Sequence, residues 1–339
     1  MVPAGAPRGK RAAGGAPAHR SAAHATTADG AETSSGVPRE VLRQVRLIEL
    51  RTRGWVDSLF GGEYHSVFKG QGMEFAEVRE YQPGDEVRAI DWNVTARMGH
   101  PYVKRYVEER ELTVLLAVDL SGSEQFGTRG RFKAELAAEI AAVLALSAVR
   151  NNDRVGLLVF TDHVEHFVPP KKGRRHVLRL IRDVLAFRPR GRGTELAAAL
   201  DYAARVLPQK AIVFVLSDFQ LGGSPDAARR RQEAFERTLR LVSGRHDIVA
   251  VSITDVAEES IPDAGVLVLV DPETGEEHAV DTGRSVLRAA YAARRAAGRE
   301  SLRRTFRRLG VDEIEVRTDA SYIAPLLGFF RRRERMLRR

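Results

Sequence analysis

The sequence contains no cysteine, which removes disulfides, iron–sulfur clusters, thiolate zinc sites and cysteine nucleophiles together. That absence suits a reducing compartment, and a cytoplasmic location is expected. No apolar run is long enough to span a membrane. The longest weakly polar stretch, Ala141 to Val149, is bounded by Glu139 and Arg150 and has helical periodicity, so no transmembrane segment is expected. No GxxxxGK[ST] loop is present to cradle phosphates, and Gly70-Gln71-Gly72 runs into Met-Glu-Phe instead of completing a dinucleotide fingerprint. Ser121 lacks the surroundings of a nucleophile elbow. These absences together argue against an enzyme.

The 339 residues are 43% hydrophobic, enough for a large core without covalent staples. The net charge of +9 is unevenly placed: residues 284–339 carry sixteen arginines against six carboxylates. A solvated arginine-rich helix face accounts for this region. It lacks the interleaved aromatics of a single-strand platform, so a nucleic-acid partner is not expected. Residues 1–36 are rich in Ala, Gly, Pro, Ser and Thr, with almost no large apolar side chain. They cannot offset the entropy of ordering, and a disordered tail is expected.

Residues 37–111 read as an N-terminal helix over Val37 to Leu50, followed by a small β-rich subdomain. The latter rests on SVF, EFAEVREY and PYVKRYV, punctuated by QPGD and MGHP turns. Residues 112–318 then alternate strand and helix. The run Val114 to Val118 suits a strand buried on both faces, and Phe132, Leu136, Ile140, Val143 and Leu144 form a helical stripe ending at Asn151-Asn152. Further strands are expected near 155–160, 164–168, 212–216, 248–253 and 314–317, and helices near 174–187, 195–207, 226–243 and 284–309. This alternation predicts a doubly wound, mostly parallel α/β sheet. A hairpin insertion is expected over 261–281, and residues 319–339 read as a basic C-terminal segment.

Asp119-Leu120-Ser121-Gly122-Ser123 leaves the first apolar strand at the edge where doubly wound sheets bind ligands. The spacing lets a tight turn aim one carboxylate and two hydroxyls into a common space. Thr194 follows a glycine-rich loop, and Asp218 ends the strand AIVFVLSD. Both belong to the same edge. Hard oxygens of this kind suit Mg²⁺ or Mn²⁺, whereas zinc would draw on His or Cys.

On these residues the chain resembles the von Willebrand factor A-type domain with its metal-ion-dependent adhesion site, a DxSxS motif completed by a distant Thr and Asp. The resemblance makes Ser121 and Ser123 direct metal ligands, Thr194 a direct or water-mediated one, and Asp119 and Asp218 mainly outer carboxylates. GQGMEFAEVREYQPGDEVRAIDWNVTAR, NNDRVGLLVFTD, GRGTELAAAL and RTDASYIAPLLGFFRRR extend the likeness to the bacterial family called DUF58. Its members are commonly encoded beside MoxR-type AAA+ ATPases. The resemblance therefore implies a metal-dependent adaptor that binds such an ATPase, or its client protein, through an acidic residue. Glu124 departs from the family's usual Met after the second serine.

Other features read as structural. Arg79, Asp85, Arg88, Asp91, Arg97 and Glu109 surround Trp92 and are expected to dock the β-rich part onto the α/β domain. His163 and His166 are too poorly phased on a strand to share a zinc. DPETGEE is explained as a turn. Two further functions remain open at this level: a metal-assisted hydrolase with Glu124 as its base, and a basic nucleic-acid or membrane-surface binder.

Overall fold

The computed structural model describes residues 39–55, 74–107, 111–127, 131–222 and 224–337. The tail over 1–36, the SVF stretch and Glu109 lie outside them. The first helix, α1 (Arg39–Trp55), runs five residues beyond its expected end and buries Val45 and Ile48.

Among the described residues, the β-rich subdomain contains one antiparallel pair, β1 (Glu74–Glu80) and β2 (Tyr102–Val107), joined through a short helix α2 (Trp92–Met98). Asp91 caps α2 by accepting the Asn93 and Val94 N–H groups, which satisfies two of the donors a helix start leaves open. The expected docking network takes a different form. Arg79 grips Asp85 through two bonds of 2.8 and 2.6 Å, and Lys104 reaches Asp91 at 3.3 Å. These pairs tie the connecting loop to its own strands, and Trp92 is 67% exposed. The charges are close in sequence, so the local turn satisfies them before any tertiary contact is needed.

The main sheet contains β3 (Thr113–Asp119), β4 (Arg154–Phe160), β5 (Val164–Lys171), β6 (Ile212–Ser217), β7 (Asp247–Thr254) and the last strand, Asp312–Arg317. Their order is last strand, β7, β6, β3, β4, β5, and β5 alone is antiparallel. β3 and β6 are apolar on both faces and lie at the centre. Val114, Leu116 and Val118 look into one core while Leu115 and Ala117 look into the other, as the two-residue period requires. Pro169 and Pro170 sit on the edge strand β5, opposite an irregularity in its pairing with β4 between Val155 and Leu157.

Helices cover both faces. On one lie α1, α3 (Lys133–Arg150) and α4 (Arg174–Ala186). On the other lie α5 (Leu196–Val206) and α6 (Pro225–Ser243). Asn152 adopts φ 60 just beyond α3, the left-handed stop that the Asn-Asn pair allows. Phe132 leaves the expected stripe: it stands at the N-cap of α3, half exposed, and its N–H donates to Glu135. The period alone does not show where the helix begins.

After β7 come a single turn, α7 (Val256–Glu259), and the hairpin β8 (Val266–Val270) with β9 (Glu277–Asp281) as a separate antiparallel pair. The long α8 (Ser285–Leu309) then leads to β10, the last strand named above, and to α9 (Ile323–Leu337). The basic 319–339 segment is thus largely α9, whose Leu326, Phe329 and Phe330 are buried in the same core as α3. Among the described residues no helix is long and apolar enough to cross a membrane.

Candidate metal centre

The chain order reverses beside β3: β4 and β5 are laid on one side, β6 and β7 on the other. The carboxyl edge between β3 and β6 is therefore a switch point, where loops diverge and leave a crevice. Asp119 is the last residue of β3 and is fully buried. One of its oxygens accepts the Ser121 N–H at 2.9 Å, and the other accepts the Ser217 hydroxyl at 2.7 Å. The chain then tightens into a 3₁₀ turn over Gly122–Gln125, bringing the Ser121 and Ser123 hydroxyls to 3.2 Å, both buried. Gly122 donates its N–H to the Arg192 carbonyl at 2.7 Å, and a Cβ there would collide with the Pro272 carbonyl. Only glycine permits that approach.

Asp218 follows β6 directly. Phe219 next to it has φ 54, a left-handed conformation that is costly for a bulky residue and persists only where packing enforces it. Its ring is held edge-on to Phe306 at 5.4 Å and tilted against Phe235 at 6.2 Å. The strained turn lets Asp218 accept the Gln220 N–H at 2.9 Å while its other oxygen meets the Lys133 ammonium at 2.5 Å. Lys133, the first residue of α3, is fully buried and also reaches Glu258 of α7 at 2.7 Å.

Glu124 completes the cluster. One of its oxygens accepts the Asp218 N–H at 3.0 Å, and the other, Oε2, is buried without a hydrogen-bond partner among the described residues. Asp119, Glu124 and Asp218 each place a carboxylate oxygen within 4.8 Å of the others. Burial, followed by the neighbouring Asp218 charge, pushes the Asp119 carboxyl up to about 7. Burial pushes Glu124 well above the usual carboxylate range against the pull of Lys133, and it raises Glu258 as well. For Lys133 burial favours the neutral amine, but Asp218, Glu124 and Glu258 outweigh it and hold the group protonated.

Asp218, Glu124 and the part-buried Glu258 thus act on one ammonium, and buried Asp119 stands beside them. An isolated buried charge is costly, so such a cluster must take up protons or a cation. Hydroxyl and carboxylate oxygens, with an unsatisfied Oε2 among them, fit a hard divalent ion such as Mg²⁺.

Of the five residues singled out from sequence, Asp119, Ser121, Ser123 and Asp218 are gathered in this crevice. Thr194 lies in the adjoining 191–194 loop, which the Gly122–Arg192 bond holds against the DxSxS turn. Its hydroxyl donates to Glu273 at 3.1 Å. Lys133, Ser217, Glu258 and Glu273 were missed. Lys133 and Glu258 carried a faint signal, each lying in the first turn of the helix that follows a strand ending at this edge. Glu273 was absorbed into the turn reading of DPETGEE; the turn is present, but the side chain goes elsewhere. His163 bonds Asp162, and His166 stacks on Phe187, away from any shared site.

A sheet of this order, with an Asp-x-Ser-x-Ser turn, a threonine loop and an aspartate at its carboxyl edge, defines the von Willebrand factor A-like class. Within that class, residues 77–301 match the family described as "protein of unknown function DUF58", and the chain belongs to it. Uncharacterized protein Rv1480 of Mycobacterium tuberculosis is 33% identical over 295 residues, covering 86% of this chain and 89% of its own length. Among solved structures, BatB from Bacteroides thetaiotaomicron aligns with TM-score 0.40 and 14% identity over 67% of this chain and all of its own. The SpRpn10 VWA domain aligns with TM-score 0.34 and 10% identity over 65% of this chain and 95% of its own.

Proposed function

We propose that this protein is a metal-dependent protein-binding module of the cytoplasm, not an enzyme. It holds Mg²⁺ or Mn²⁺ through Asp119, Ser121, Ser123, Thr194 and Asp218, and it captures an acidic residue of a partner. The observation that carries the reading is the excess of buried carboxylate, with Glu124 Oε2 unpartnered among the described residues. The two serines and Thr194 offer neutral hydroxyls, which leave a bound dication with unquenched charge and exchangeable waters. The carboxylates orient these groups and supply the charge that draws the ion in. Asp218, engaged by Lys133 and the Gln220 N–H, serves orientation.

A MoxR-type AAA+ ATPase, or its client, is the partner that membership of DUF58 favours. The hydrolase reading has less support: Glu124, the base it would need, spends one oxygen on the Asp218 N–H, and Ser121 faces Ser123 in place of a histidine.

Mg²⁺ at a hundred times its Kd stabilises the fold by about 2.7 kcal/mol, a rise of several degrees in Tm. Asp119→Asn, which keeps acceptor and amide groups of the same shape, abolishes that rise. Pull-down of the purified ATPase weakens with EDTA and with Thr194→Ala while the circular dichroism spectrum stays unchanged. Equal capture with EDTA and with Mg²⁺ would refute the metal bridge.

A further inference from the structure

The hairpin of β8 and β9 is packed in an inverted way. Its strands leave Val266, Val268 and Val270 exposed at 69%, 61% and 56%, while its tip reaches the crevice. The tip is shaped by its own bonds. Asp271 accepts the N–H groups of Glu273 at 2.8 Å and Thr274 at 3.2 Å. Gly275, at φ 77, donates to the Asp271 carbonyl at 2.7 Å. These contacts alone suffice for a turn, and none of them uses the Glu273 side chain.

That side chain enters the crevice, half-buried between exposed Pro272 and Thr274. Its Oε1 accepts the Thr194 hydroxyl at 3.1 Å. Its Oε2 lies over two backbones: a Cβ at Gly193 would come within 3.9 Å of it, and one at Gly222 would run into it. Beside it, the Pro272 carbonyl rests on Gly122. The tip therefore touches all three loops that carry the candidate ligands: the DxSxS turn, the Thr194 loop and the loop after Asp218. A carboxylate aimed into an already acidic crevice is unfavourable unless a cation is shared. Arg231, whose charge acts on it, is bonded to the Gly222 carbonyl at 2.7 Å and lies 3.8 Å from Glu195.

We propose that Glu273 is a tethered ligand of the metal centre, an internal carboxylate seated where an acidic residue of a partner would bind. The proposal rests on the metal-binding reading above. It makes the hairpin a built-in competitor: an incoming acidic residue has to displace the tip, and the exposed valine strands leave room for the arm to move without breaking the core.

Mn²⁺ alone is the probe, added to the full chain. Electron paramagnetic resonance of free Mn²⁺ gives affinity, and water-proton relaxation reports the exchangeable waters on the bound ion. Glu273→Gln keeps an acceptor for Thr194 and an uncharged tip of the same shape. It is expected to bind Mn²⁺ about tenfold more weakly than the wild type, with stronger water relaxation per bound ion because water enters the vacated position. Glu276→Gln, exposed on the same tip, should change neither. Should the glutamine variant fail to fold, Glu273→Asp, one methylene shorter, gives the same two readouts. Equal affinity and equal relaxation in wild type and variant overturn the tether and leave the metal site standing. Absence of Mn²⁺ binding by both proteins overturns the metal reading and the tether with it.

Discussion

At the carboxyl edge of the sheet, Asp119, Glu124 and Asp218 are buried, and Lys133 bonds Asp218 and the part-buried Glu258. Along α8, β10 and α9 the imbalance has the opposite sign and is larger in number, yet it is handled cheaply. Arg303 pairs with Glu315 at 2.5 Å, Arg308 with Glu236 at 2.6 Å, Arg307 with Glu300 at 2.9 Å and Arg333 with Asp247 at 2.5 Å. Arg303, Arg307 and Arg308 border water and salt, so their charge is screened whether or not a partner is present, while Arg333 is part-buried between Asp247 and Asp312. The acidic crevice has no such outlet. Charge count is therefore a poor guide to where electrostatics matter: sixteen arginines decide little, while one lysine decides whether the site holds together.

The sharpest way to break this contrast is to remove that lysine. Lys133→Met leaves Asp218 and Glu258 buried without their cation and is expected to lower stability by about 3–5 kcal/mol in urea unfolding, with partial rescue by Mg²⁺. A loss below about 1 kcal/mol would show that the crevice admits water.

A smaller effect follows from pH. The folded Asp119 carboxyl titrates at about 7, against about 3.9 in an unfolded chain. Between those values the folded state binds more protons than the unfolded state, so metal-free stability falls as pH rises and levels off above the folded value. Glu124 acts in the same direction, while Lys133 stays protonated throughout and adds no slope. Melting curves from pH 5 to 8 without metal should therefore show a falling Tm that Asp119→Asn flattens. A Tm that climbs over this range in the wild type would contradict the burial of that carboxylate.

The smallest effect belongs to the basic surface. Arg303→Ala removes an exposed pair and should cost at most about 1 kcal/mol; a larger loss would mean that the arginine face is structural after all.

Much of the architecture could be read in advance, and the reason is local. Val114 to Val118 and Ile212 to Leu216 are too uniformly apolar to be anything but central strands. Asn152 marks the end of α3 because few residues tolerate its φ. The DxSxS turn and the strand ending in Asp218 were visible for the same reason, since each is a short segment whose chemistry is written contiguously. Phe132 was misplaced because a helical stripe gives periodicity without fixing where the helix begins. Of the charges near Trp92, Arg79 and Asp85 pair within their own loop, a contact between opposite charges six positions apart.

The sequence by itself determined the alternating α/β order, the mostly parallel sheet and the placing of Asp119, Ser121, Ser123 and Asp218 at its edge, because hydrophobic period and turn chemistry act over a few residues. Only the tertiary structure decided that Lys133, 85 positions from Asp218 and 125 from Glu258, is the counter-ion of the crevice, and that Glu273 reaches Thr194 across 79 positions. Such meetings depend on which strand the chain crosses over to and on how each connecting loop returns. That is settled when whole layers pack, and no local pattern records it.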